Sequence, residues 1–315
     1  MAGDVGQARL AWEAAGECWR RADRPVDAVG AFEKALALDP EATAPVVRAR
    51  IAGSAADVGR FDLARSLCRT ALERAPRGPV RAVVLDTLCG VELAMGDPDQ
   101  AEHVAETLRA EAEGPIAVAA TFRIAQVRQV RGLLDEAEAG MRAALALVEG
   151  TPGLAGLAAA RTELGNIASL RDDLPTALMH YRDAIAAAQE AGRSGLAWHA
   201  EAGRVRVQAA LGLTPLVARL DPGLALAVER GMAPLRAELL LSRGTATGVA
   251  ADLDLAAEIA ARCGMRWTEG RALFARAQGT GDATAAARAV DLLAEHAIWQ
   301  KRVRALAPGE PHDTV

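Results

Sequence analysis

The chain has 315 residues, 51% of them hydrophobic but only 3% aromatic, so its core must be built from small aliphatic side chains, which suit close helix packing. Thirty-six basic against 41 acidic residues leave a net charge of −5, the wrong sign for a surface that tracks phosphates, so no nucleic-acid partner is expected. The sequence shows no leader and no apolar run of about 18 residues, and Cys18, Cys68, Cys89 and Cys263 lack metal-ligand spacing; we expect no membrane contact and a cytoplasmic chain with reduced thiols.

After a short lead-in (1–8), the segment from Arg9 to Ala42 predicts a helical hairpin. Trp12, Ala15, Gly16 and Trp19 fall at i, i+3, i+4 and i+7 on one helical stripe. Asp23 to Pro25 break that helix, Ala28, Phe32 and Ala35 mark a second stripe, and Pro40 ends it. Trp12, Trp19 and Phe32 are expected in the hairpin core. The small-residue frame returns with Ala64, Cys68 and Ala71, with Ala101, Ala105 and Leu108, with Ala137, Met141 and Ala144, and with Ala177, Tyr181 and Ala184. The first alanines of these five copies, at 28, 64, 101, 137 and 177, are 36, 37, 36 and 40 residues apart, which assigns residues 9–191 to five stacked hairpins. From 192 to 306 helical stretches and glycine or proline breakers still alternate, predicting about three degenerate hairpins of the same solenoid. The tail 307–315 is polar and proline-rich and is expected to be disordered.

The ordered series Trp12, Gly16, Trp19, Ala28, Phe32, Ala35 and Pro40 resembles a tetratricopeptide repeat. The degenerate half resembles the divergent repeat arrays of bacterial signalling regulators. The resemblance implies an all-α, right-handed α-solenoid of stacked hairpins whose first helices line a concave trough for a protein or peptide partner. It implies a non-enzymatic scaffold or, as an alternative, a regulatory or sensor module that binds a signalling peptide or controls a kinase, ATPase or protease.

The residues themselves offer no catalytic constellation. The sequence contains no GxxxxGK[ST], HExxH or GxSxG pattern, and His103, His180, His199, His296 and His312 lie too far apart in sequence to pair on one helical face. No cofactor is expected. The paired carboxylates near Asp173 and Asp252 read as helix caps. Binding residues are sought where polar side chains recur on first helices: Phe122, Arg123, Gln126 and Gln129 in the fourth copy, and Thr162, Asn166 and Ser169 in the fifth. Asparagine and glutamine can satisfy an extended peptide backbone, Arg123 a carboxylate, and Phe122 an apolar anchor. In the first three copies, Glu13, Glu17 and Asp86 at trough places are expected to repel acidic C-terminal peptides.

Overall fold

The computed structural model describes residues 2–41, 43–111, 116–148, 153–213 and 217–304. Among these, seventeen α-helices and one 3-10 turn account for the regular structure, and no strand is present. Five hairpins come first: α1 (Ala2–Arg21) with α2 (Pro25–Leu38), α3 (Pro45–Asp57) with α4 (Phe61–Arg74), α5 (Pro79–Met95) with α6 (Pro98–Glu111), α7 (Ile116–Val130) with α8 (Leu134–Val148), and α9 (Leu154–Leu170) with α10 (Leu174–Glu190). Then α11 (Ser194–Ala210) leads through the 3-10 turn Val217–Leu220 into α12 (Asp221–Glu229), which packs on α13. Helices α13 (Ala233–Thr247) and α14 (Ala250–Cys263) pair, as do α15 (Arg266–Thr280) and α16 (Ala283–Leu293), and α17 (Ala297–Arg304) follows. Of the lead-in expected over 1–8, residues 2–8 belong to α1, which starts at Ala2. The tail 307–315 lies outside the described residues. None of the described helices is long and apolar enough to cross a membrane.

Local chemistry sets these boundaries. Proline occupies the first turn of α2, α3, α5, α10, α12 and α13, where its missing N–H costs nothing. Asp173 caps α10 by accepting from Thr176 N, as the sequence suggests. Asp252 instead takes two bonds from Arg243 across the α13/α14 turn, 2.7 and 2.8 Å long. Inside the hairpins, glycine lets an aromatic ring reach the facing backbone: a Cβ at Gly16 would lie 2.6 Å from Phe32, and one at Gly165 would lie 2.8 Å from Tyr181.

Each odd-numbered helix from α3 to α13 packs on the next odd helix, whereas the even helices pack mainly on their odd neighbours. The odd helices therefore form the inner layer of an α-solenoid and the even helices its outer layer.

The coil also closes on itself. Turn tips of the first four hairpins, all with left-handed backbone (Asp23, Gly59, Gly96 and Gly132), meet the C-terminal half. Asp23 accepts from Ser194 Oγ, from Gly195 N at 3.3 Å and from Arg230 at 3.1 Å. Gly59 faces Cys263, Gly96 faces Arg266 and Trp267, and Gly132 faces Ala297. A side chain at Gly59 would be doubly excluded, by its φ of +86° and by the Cys263 sulfur 2.5 Å from a Cβ. Ala260 and Met265 join the same apolar core as α2 to α6, so the seam is packed as well as bonded.

Trp12 and Trp19 are not core residues. They are 36% and 39% exposed, because no described helix covers the outer face of α1. Each ring instead lies under a cation, Trp12 beneath Lys34 at 4.2 Å and Trp19 beneath Arg24 at 4.8 Å. Phe32, 1% exposed, packs as expected.

Candidate functional site

The inner layer carries a charged residue on every odd helix from α1 to α15, and the sign alternates: Glu17, Arg50, Asp86, Arg123, Glu163, Arg206, Glu238, Arg271. From α5 to α15 these groups are joined by polar contacts in two runs, one from Asp86 to Tyr181 and one from Arg206 to Arg271. Arg123 donates to Asp86 at 2.7 Å and to Gln126 at 2.9 Å, and Gln126 donates to Glu163 at 2.8 Å. Asn166 donates to Glu163 at 3.0 Å and accepts the Tyr181 hydroxyl at 2.7 Å. Arg206 on α11 begins a second run: it lies 3.6 Å from Glu238 and donates to Ser242. Glu238 also accepts from Thr268 at 3.0 Å and Arg271 at 3.1 Å. At the N-terminal end Glu17 and Arg50 stand 3.8 Å apart.

Alternation decides the electrostatics. Burial alone would raise the Glu238 carboxyl, but Arg271 and Arg206 overcome it and hold the group at about 2. Burial likewise opposes the Arg123 charge, which Asp86 and Glu163 more than restore. Arg206 differs: burial and the neighbouring Arg271 outweigh Glu238 and lower its pKa. The Glu17 carboxyl is held at about 2, chiefly by its hydrogen bond from Arg20, against burial. The inner face is thus dense in charge yet locally neutral, and the acids of the first three copies do not present a repulsive row. Glu13 pairs with Arg9, Glu17 with Arg20 and Arg50, and Asp86 with Arg123, which removes the basis for exclusion of acidic peptides.

Of the residues singled out from sequence, the fold brings Arg123, Gln126 and Asn166 into this network. Gln129 sits one turn further along α7, with its amide oxygen enclosed and unpartnered. Thr162 is buried and returns its hydroxyl to the Ala158 carbonyl of its own helix, so it presents nothing to a ligand. Phe122 is spent partly on the apolar core of α7 to α9, with the Arg123 guanidinium over its ring at 5.7 Å. Ser169 is half-buried in the last turn of α9. Sequence reasoning missed Asp86 as a partner of Arg123, and it missed Glu163, Tyr181, Arg206, Glu238 and Arg271. Their signal was a charge of alternating sign recurring every 32 to 43 residues from position 17 to position 271.

Among the described residues no group of His, Cys, Asp and Glu could hold a metal ion. Cys68 and Cys89 are buried thiols, their pKa pushed up to about 12 by burial, and are unreactive packing residues.

Residues 116–190 match the tetratricopeptide repeat family. No curated protein matches the chain significantly by sequence. Among solved structures, a Rap protein complexed with competence and sporulation factor superposes with a TM-score of 0.66 at 15% identity, covering 90% of this chain and 81% of that one. A tetratricopeptide repeat protein from Parabacteroides merdae aligns over 91% of this chain and 99% of its own at 14% identity, with a TM-score of 0.44. With hairpins on both sides of the matched segment, the chain is an all-α helical-repeat solenoid whose residues 116–190 match the tetratricopeptide repeat family.

Proposed function

We propose that the chain is a non-enzymatic protein- or peptide-binding module that holds its ligand against the inner layer, along the ladder from Asp86 to Arg271. The observation that supports this reading is the ladder itself. A solenoid does not need two successive runs of paired polar groups across six inner helices to fold, since the apolar cores between hairpins already join neighbours. Burying so many charges is costly unless each is paired, and a paired row leaves donors and acceptors of both signs at the trough surface for an extended backbone. Arg123, Gln126 and Asn166, all only half-buried, would make the central contacts.

Panning a random peptide library against the folded chain and measuring selected peptides by calorimetry tests the proposal. Arg123→Ala and Arg271→Ala should each weaken binding by about 1–3 kcal/mol. Peptides that bind both variants as tightly as the native chain would place the site elsewhere.

The sensor alternative draws support from the seam. The only covalent link between the two halves is the continuing chain, yet turn tips of α1 to α8 close onto α11 to α17, so a ligand that changes the curvature of the inner layer would also strain the seam. The Rap protein with a similar fold was captured with a bound factor. A ligand-dependent change in solution scattering would favour this reading over a passive scaffold.

A further inference from the structure

We propose that α1 is a self-association surface, at which two copies of the chain pack their first helices antiparallel about a two-fold axis. The repeat register shows what that face is shaped to receive. The places of Trp12, Ala15 and Trp19 recur on α3 as Arg48, Ile51 and Ala55, and on α5 as Leu85, Leu88 and Glu92. All six of those residues are buried, and the cover comes from the preceding hairpin. Arg48 donates to the Thr43 and Pro40 carbonyls just beyond α2, and Glu92 accepts from Arg65 of α4. The face that takes a helix on α3 and α5 is therefore uncovered on α1 among the described residues, where Val5, Trp12 and Trp19 are 43%, 36% and 39% exposed.

The pattern on α1 favours a copy of itself as the occupant. Val5, Ala8, Trp12, Ala15, Trp19 and Ala22 step by three and four residues, a heptad seam in which large and small side chains alternate. In an antiparallel pair each large place faces a small one, so Trp12 covers Ala15 of the second copy and Trp19 covers its Ala8. Successive helices of the array run in opposite directions, so a helix that continues it over α1 must run antiparallel to α1, as a two-fold-related α1 does. Glu13, nearest the axis, is neutralised by Arg9 on its own helix, which removes the like-charge repulsion that two facing glutamates would otherwise bring. Lys34 and Arg24 each lie over a tryptophan ring, and 36% of Trp12 and 39% of Trp19 stay exposed for the second copy to cover.

Light scattering coupled to size exclusion should find the full chain at twice its 32.8 kDa mass. Ala15→Glu and Trp19→Glu should each reduce it to one chain mass with helix content unchanged, since Trp19 is 39% exposed and Ala15 only partly buried, and the melting temperature should lose its dependence on concentration. Val249→Glu, at an exposed apolar residue on the other half, should leave the dimer intact. Hydrogen exchange of the unaltered chain gives a reading that no variant can confound, since protection of α1 should rise with concentration. A single-chain mass for the native protein at every concentration, or a dimer that survives both charged substitutions, would overturn the proposal.

Discussion

Tyr181 shows how one side chain can serve both packing and the ladder. Its ring fills the space left by Gly165 and by Gly203 of the next hairpin, it is 1% exposed, and its hydroxyl donates to Asn166 of α9 at 2.7 Å. Asn166 is thus a structural partner before it is a ligand contact, and truncating it must cost stability as well as binding. Tyr181→Phe and Asn166→Ala should each destabilise by about 1–3 kcal/mol, because either leaves a buried polar group unpaired. The double variant should lose less than the sum, and urea unfolding of all four proteins measures the difference. Strict additivity would mean that the bond contributes nothing. At this scale the sequence was partly legible: Arg123, Gln126 and Asn166 were found because polar side chains recur at matched places. Glu163 and Arg206 were passed over because a charged residue on a helix is usually solvated, and only the fold shows that Glu163 meets Gln126 and Asn166 and that Arg206 meets Glu238 and Ser242.

Among elements, the early hairpins were readable because an alanine recurs at a near-constant interval where two helices touch, as Ala28, Ala64 and Ala101 do with no exposed surface. The late helices lack that frame. Their contacts use whichever side chains fill the gap, as where Trp267 meets His296 edge-on at 5.0 Å and Phe274 meets Trp299 at 5.6 Å. His296 anchors the start of α17 and, enclosed with its Nδ1 unpartnered, is driven down to about 4 by burial and by Arg271. In the unfolded chain the same imidazole titrates near its ordinary value of 6.5. Between these values the unfolded segment takes up a proton that the folded one refuses, so the hold on α17 is greatest above about pH 6.5 and weakens as the pH falls towards 4. Tryptophan fluorescence should report loosening around Trp267 and Trp299 across that window, and His296→Phe should abolish it. A flat signal between those pH values would show that the imidazole does not control α17.

For the whole molecule, the seam changes what a stack of repeats should do. An open array loosens locally, each hairpin answering only to its neighbours. Here the first hairpin is tied to residues 171 and 207 positions away, through Ser194 and Arg230 on Asp23. Asp23→Asn separates the two behaviours with little disturbance elsewhere. Asparagine tolerates the left-handed backbone (φ 58°), keeps the shape of the turn and can set its amide oxygen where Oδ2 accepts, but it leaves Arg230 without a counter-charge and replaces three charge-assisted bonds by weaker ones to a neutral amide. We expect the coil to open at this end, with a larger radius of gyration in solution scattering. Hydrogen exchange should quicken at residues 194–195 and 230–233 as well as around the substituted turn, while α5 to α10 keep their protection. Added salt should push the native chain the same way, since the seam includes an ion pair that is only partly enclosed. If scattering stays unchanged and exchange quickens only at the first hairpin, the two halves are neighbours without being coupled, and curvature of the inner layer cannot be transmitted to the seam.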